Sequence, residues 1–386
     1  MKRDTRLIRS GRPRSGWINV PPTRGSTYVF ESVAAWRETR VKRETQRLNS
    51  YGARGNDSTH ALEDSIIELE GGCRACFFPT GQAAIAVTLL GLLSPSDHIL
   101  VTDAVYEPVR KFCSEQLQRL NIAVTYYQGD GSDLEQKIQE NTKVVYVECP
   151  GSLVYEMLDL RYVANLAHAR GCLVVADNTW GSGWLYRPLE LGADISIIAA
   201  TKYLSGHSDV MMGVSVANTR AWPMLQKATT EFGQTVSADD AYLVSRGLRS
   251  LGARLRIHQK NVLDVAKWFE TRPEIITIFC PALPSDQGHH HWLRDCGATN
   301  GLISVEFRKT ISPELVDAMI DALALFGLGA SWGGFESLVI PTNMQLARSL
   351  TDWSNRGSVV RFHIGMEDSA DLIADLEQAF QRLSVA

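Results

Sequence analysis

Apolar positions along this chain fall into two alternating patterns. From about residue 58 to residue 217, the short runs HILVTD, AVTYY, VVYVEC, LVVADN and ISIIAA are rich in branched residues and almost unbroken in hydrophobicity. Strands that are apolar on both faces belong in the middle of a parallel sheet covered on both sides. Between them, apolar residues recur at helical spacing. THALEDSIIELEGG is expected to start as a helix after Ser58 and Thr59 and to stop at Gly71 and Gly72, and LRYVANLAHARG to stop at Gly171. Strand and helix in alternation predict a doubly wound α/β domain with ligands at the carboxyl ends of its strands.

The pattern changes on either side of that domain. Residues 1–57 show little periodicity and carry arginine, proline, glycine and serine in SGRPRSG and NVPPTRGS, which predicts an extended arm that wraps another subunit. The large domain is expected over 58–248. YLVSRGLRSLGARLRIHQ then predicts one long basic amphipathic helix, and a mixed α+β pattern to the end predicts a smaller C-terminal domain, 249–386.

Composition narrows the class of partner. Lys and Arg number 39 against 43 Asp and Glu, and the net charge of -4 gives no electrostatic reason to expect nucleic acid or anionic lipid. Small molecules are favoured. The opening MKRDTRLIRSGRPRSG lacks the apolar core of a secretory signal and the apolar runs are too short to cross a bilayer, so a cytoplasmic protein with no membrane contact is expected. Seven scattered cysteines then suit reduced thiols. Cys73 and Cys76 form a C-x-x-C with no second ligand pair, which reads as packing. The histidines of GHHHW, 288–292, read as a solvated loop, and no metal site is expected.

Candidate chemistry gathers at strand ends. Asp177 closes LVVAD and Lys202 follows ISIIAAT, so both are expected on the ligand-binding rim. A lysine and a carboxylate there fit pyridoxal phosphate, with the amine bonded to the cofactor and the acid holding the pyridine nitrogen protonated. The same pair also reads as a strand-end salt bridge, and these two residues alone do not choose. FFPTGQAAIAVTLLGLL supplies Gly81, Gln82 and a helix start for a phosphate, and Thr201 offers a hydroxyl, its other role being strand packing. Tyr106, after HILVTD, either stacks on a cofactor or packs. GHSD holds Ser, His and Asp, but contiguous side chains diverge and no triad is expected. Arg361 interrupts the apolar strand SVVRFHIG and needs an anion: a substrate carboxylate, or an acid such as Glu367. Ser331 and Trp332 lie in the glycine-rich GASWGGFESL.

With these residues assembled, the chain resembles the pyridoxal phosphate enzymes of cysteine and methionine metabolism, the trans-sulfuration family that serves methionine biosynthesis. The likeness is carried nearly end to end by YGARG, ELEGG, PTGQAAI, YEPVRKFC, VECPGS, ADNTW, ATKYLSGHSD, AYLVSRGLRSLGARLR, PALP, SWGGFESL and VRFHIGMED, in family order. It implies the type I aspartate aminotransferase-like fold, a mostly parallel sheet with helices on both faces and a smaller α+β domain. It implies Lys202 as the Schiff-base lysine and a proton carrier, Asp177 as partner of the ring nitrogen, and Tyr106 as the stacking ring and a second catalytic group. Gly81, Gln82 and Thr201 fall at the phosphate positions, and Tyr51 where a neighbouring subunit reaches that phosphate. Ser331 and Arg361 match the residues that hold the substrate α-carboxylate. The family assembles as a homotetramer, a dimer of dimers with shared active sites.

The implied activity is α,β-elimination of a cysteine thioether such as L-cystathionine, giving a thiol, pyruvate and ammonia. The alternatives are a γ-acting enzyme of the same family or a non-catalytic cofactor-binding regulator. Trp332 leans towards the β-acting branch, since γ-acting relatives more often have leucine there. Two positions depart from the family. YGARG puts Ala53 where the family has an arginine on the phosphate, with Arg54 one place on. Ala330 stands before Ser331, where β-acting enzymes tend to have tyrosine, and a smaller wall there would admit a different or larger thioether.

Overall fold

A computed structural model describes residues 1–383, arranged around two sheets. Residues 384–386, the end of the expected C-terminal domain, lie outside the described residues. The first sheet is built from β1 (Arg74–Phe78), β2 (His98–Thr102), β3 (Ala123–Tyr127), β4 (Thr142–Glu148), β5 (Leu173–Asp177), β6 (Ile195–Ala199) and β7 (Gly213–Ala217). Its order is β1-β7-β6-β5-β4-β2-β3, with β6 through β3 parallel and β7 antiparallel to both neighbours. The mostly parallel sheet with helices on both faces is therefore present. β4 explains the unbroken apolar runs: Val144 and Tyr146 pack with Ile85 and Leu89 of the Gly81–Leu92 helix on one face. Val145 and Val147 pack with Leu160, Val163 and Ala167 of the Leu160–Ala169 helix on the other.

Strands β2, β4, β5 and β6 all end at one edge of the sheet, and β7 begins there, with Gly213 opposite Ala199. Phe78 at the end of β1 also pairs with Gly213. The chain leaves this edge through Gly81, Tyr106, Glu148, Asp177 and Lys202, so the topology gathers residues that are distant in sequence.

A second sheet follows, from β8 (Ile275–Phe279), β9 (Leu302–Phe307), β10 (Gly327–Leu328), β11 (Leu338–Thr342) and β12 (Val359–His363), in the order β10-β11-β12-β9-β8. In β12, Val360 and Phe362 join Val262, Phe269, Leu372 and Leu376 in a core with the Leu251–Phe269 and Ser369–Phe380 helices. Side chains alternate across a strand, so Arg361 and His363 are left on the opposite face. The loop leading to β12 is tied to the first sheet by Asp103, just past β2. Its carboxylate accepts from Ser349 Oγ at 2.6 Å, Ser349 N at 2.9 Å, Leu350 N at 3.0 Å and Arg110 Nη2 at 2.8 Å. Beside it, Arg348 is paired with Glu156 at 2.8 Å.

Four local expectations are corrected. The first helix of the large domain is Asp57–Glu70, earlier than expected, because Asn56 caps it by accepting from Ser58 N and Thr59 N while Thr59 Oγ1 accepts from Asn56 N. The basic segment 242–259 is not one helix: Ala238–Leu248 ends and Leu251–Phe269 begins. Arg254 of the second helix folds back to the carbonyl of Gly247 at 2.9 Å, and Arg249 turns to the carbonyls of Leu7, Ile8 and Ser10. The arm carries the helices Arg3–Arg9 and Val33–Lys42, the second capped by Ser32. The histidine run is the helix His289–Asp295 and not a loop, with His289 bonded to Pro281 O at 2.9 Å and stacked on Trp292.

Replacing Asp103 with alanine strands the Ser349 and Leu350 amides and removes the carboxylate partner of Arg110, a loss of about 3 kcal/mol. The expected result is a thermal unfolding midpoint several degrees below that of the unaltered protein; an unchanged midpoint contradicts the role given to this link.

Candidate active site

Lys202 sits in the turn after β6, where Lys202 N bonds back to Ala199 O at 3.0 Å. Its Nζ donates to Ser331 Oγ at 2.8 Å and lies 5.4 Å from the centre of the Trp332 ring. Burial, and after it the guanidinium of Arg361, pull its pKa down from the ordinary lysine value to about 8. An amine so placed is readily neutral and can act as a nucleophile or a base.

Arg361 is only 7% exposed. Nη2 donates to the carbonyl of Ser331 at 3.0 Å, and Nε is buried with no partner. Burial lowers its pKa. Glu367, the alternative partner, instead accepts from Ser337 N and Ser337 Oγ at 2.7 and 2.9 Å. Among the described residues Arg361 has no acidic partner, so its side chain is left for an anion from outside the chain. Ser331 bridges the two cations, taking Lys202 on its hydroxyl and Arg361 on its carbonyl.

The opposite wall is acidic. Asp177 ends β5, buried, with Oδ1 accepting from Thr179 N at 2.9 Å and Oδ2 3.4 Å from the Tyr146 hydroxyl. Burial pushes its pKa up, against the hydrogen bonds from Thr179 and Tyr146. No ion pair joins Asp177 to Lys202 among the described residues, which removes the strand-end salt bridge as an explanation of the pair. Glu148 ends β4 in direct register with Asp177. Its Oε2 accepts from Tyr106 N at 2.7 Å, and burial followed by the charge of Asp177 drives its pKa well upward. The charge of Arg348 opposes that rise, but less than burial and Asp177 drive it. Tyr106 lies between the walls: burial, Glu148 and Asp177 raise its pKa and Arg361 lowers it. The residue is 49% exposed, consistent with a ring available for stacking.

The Gly81–Leu92 helix opens at the same edge. Thr80 Oγ1 takes the Ala83 amide at 3.0 Å, and the Gly81 and Gln82 amides make no bond within the described residues. Gly81 is required by a close approach, since a Cβ there would stand 2.8 Å from Ala199 Cβ. Gln82 donates to Pro108 O at 3.3 Å, while its Oε1 is buried without a partner. Thr201 is committed to the main chain of Met212, 3.0 Å from its nitrogen and 3.3 Å from its carbonyl. Tyr51 is elsewhere, lining a cavity of about 290 Å³ with Ala53, Arg54, Arg74 and Trp222. Arg54 is paired with Glu44 at 3.1 Å.

These residues fit pyridoxal phosphate: a neutralisable amine, an acid for the ring nitrogen, free helix-start amides for a phosphate, and a guanidinium without an acidic partner for the substrate. Sequence reasoning missed Glu148 and His363. Glu148 closes VVYVE as Asp177 closes LVVAD, a signal that was open to view. In GHSD, His207 is bonded to Ser205 O and Ser208 to Glu336. Cys76 is buried, and among the described residues no cluster suits a metal ion.

The profile of the Cys/Met metabolism PLP-dependent enzymes matches residues 4–381. A cystathionine beta-lyase of Bordetella avium is 42% identical over 368 residues, 95% of this chain and 92% of its own length. Cystathionine beta-lyase MetC of Escherichia coli (strain K12) is 39% identical over 391 residues, 99% of either chain. The crystal structure of metB from Corynebacterium glutamicum superposes with a TM-score of 0.90 at 29% identity, covering 100% of this chain and 99% of the other. Matched over nearly its whole length, with an amine, an acid and a helix start arranged for one cofactor, the chain belongs to the pyridoxal phosphate-dependent enzymes of cysteine and methionine metabolism.

Proposed function

We propose that the protein is a carbon–sulfur β-lyase that splits L-cystathionine, or a related cysteine thioether, into a thiol, pyruvate and ammonia. The observation that carries this reading is the amine of Lys202, its pKa pulled down to about 8, held by Ser331 beside Arg361, which has no acidic partner among the described residues. The names of the most similar relatives support the substrate.

Bound pyridoxal phosphate supplies a conjugated sink for the electron pair released at the substrate's Cα. The residues of the chain do the rest. Arg361 and Ser331 grip the α-carboxylate, Asp177 keeps the ring nitrogen protonated, and the Gly81 and Gln82 amides receive the phosphate, to which Thr201 donates once its hydroxyl turns from the Met212 carbonyl. Lys202 takes the α-proton on Nζ. Departure of the thioether sulfur breaks the Cβ–S bond with its electron pair going to sulfur, and a proton from Lys202 or Tyr106 makes the thiol. Water then releases pyruvate and ammonia. Trp332, which the family resemblance associates with the β-acting branch, lies beside Lys202, and the exposed Ala330 leaves room for a bulky thioether.

The assembly is part of the proposal: a homotetramer in the cytoplasm, with Tyr51 of each arm serving a neighbour's phosphate. Support comes from Tyr51 lying away from Lys202 within its own chain and from the exposed apolar arm residues Trp17, Ile18 and Val29. No helix among the described residues is long and apolar enough to cross a membrane.

Incubation of the purified protein and pyridoxal phosphate with L-cystathionine is expected to yield pyruvate and homocysteine together; 2-oxobutyrate with cysteine would assign it to γ-elimination instead. A second expectation concerns pH. Only the neutral amine attacks the cofactor's aldehyde, so cofactor uptake by the stripped protein should quicken about tenfold per pH unit below 8 and level off above it. Stopped-flow absorbance reads this rate, and a profile that keeps rising to the ordinary lysine pKa contradicts the environment assigned to Lys202.

A further inference from the structure

β12 puts two polar side chains on the face turned towards Lys202: Arg361 and, two residues on, His363. Both read the same loop. Arg361 holds the carbonyl of Ser331, while His363 Nε2 accepts from Gly333 N at 3.0 Å and Nδ1 faces the carbonyl of Glu336 at 3.0 Å. An amide N–H only donates and a carbonyl only accepts, which fixes the ring as neutral, with its hydrogen on Nδ1. A second proton would set N–H against N–H near Arg361 and Lys202. The ring is completely buried, and that burial already pushes its pKa far down.

Gly333 makes this contact matter to the chemistry. Its φ is +88°, and a Cβ built there would stand 2.8 Å from both the carbonyl carbon of Lys202 and the nitrogen of Tyr203. The loop thus lies directly on the main chain of Lys202. Ser331 and Trp332, immediately before it, are the residues that meet the Lys202 amine. Paired glycines at 333 and 334 contribute little stiffness of their own. Glu367 fixes the far end of the loop at Ser337 and Met366 N holds Phe335 O, while at the glycine pair the side-chain anchor is one rigid ring gripped at both ends.

We propose that His363 is a positioning residue for recognition of the substrate carboxylate: a neutral clamp that sets Ser331 and Trp332 against Lys202 and keeps the Ser331 carbonyl on Arg361, so that the remaining guanidinium nitrogens face the ligand. The inference rests on reading Arg361 and Ser331 as the carboxylate site. Such preorganisation acts on ligand discrimination more than on the fold.

The test uses the holoenzyme and two amines without a β leaving group, L-alanine and ethylamine, titrated by the visible absorbance of the bound cofactor. The unaltered protein is expected to bind L-alanine the more tightly. In His363→Phe the ratio of the two dissociation constants should shrink about tenfold with ethylamine affinity unchanged, and His363→Asn, which retains an N–H for the Glu336 carbonyl, should recover part of it. A ratio unaltered in His363→Phe, or both ligands weakened in parallel, overturns the clamp. No preference in the unaltered protein defeats the carboxylate reading itself, and the clamp with it. Neutron diffraction from the unaltered holoenzyme needs no variant: hydrogen on Nδ1 and none on Nε2 is expected, and hydrogen on Nε2 overturns the proposal.

Discussion

A separation of charge across one cleft governs this protein. Among the described residues Lys202 and Arg361 stand on one wall with no ion-pair partner, and Glu148 and Asp177 stand on the other with none, the charge of Arg348 only partly offsetting the burial of Glu148. Each pair is costly to keep in a buried place, and each penalty vanishes when the complementary ligand arrives. A pyridinium nitrogen satisfies the acids. A carboxylate satisfies Arg361, and covalent capture removes the charge problem of Lys202. The cleft is therefore unfavourable alone and favourable when filled, as expected where binding energy has to be directed to one ligand geometry.

The fold sustains this arrangement through two separate sheets. The edge of the first supplies the acids, Tyr106, the helix start at Gly81 and Lys202, because its parallel strands all end on one side. The second supplies Arg361 and His363 from the polar face of a strand whose other face is core. Asp103 with Ser349, and Glu156 with Arg348, bind the two together close to Tyr106. Placement of Arg361 and His363 against the first sheet then depends on the contacts of the loop that leads into β12.

The strands were legible because burial on both faces leaves an unmistakable run of branched residues, and with them the positions of Asp177 and Lys202 at strand ends. Arg361 stood out as one cation among apolar residues. His363 did not, because a histidine in an apolar strand looks like packing until its two nitrogens find their partners. Glu148 was passed over although it ends its strand as Asp177 does; only strand order, β4 beside β5, makes them a pair. Helix limits were lost for local reasons, as Asn56 outcompetes Ser58 for the cap and Arg254 terminates a helix from the next one along. Tyr51 illustrates a different limit, since its expected target belongs to another copy of the chain.

The account centres on Lys202 as the group that bonds the cofactor. Reduction of the holoenzyme with borohydride, followed by mass spectrometry of its peptides, traps that bond where it forms. The account predicts a phosphopyridoxyl group on Lys202 and on no other lysine. A different labelled lysine, or none, would contradict it.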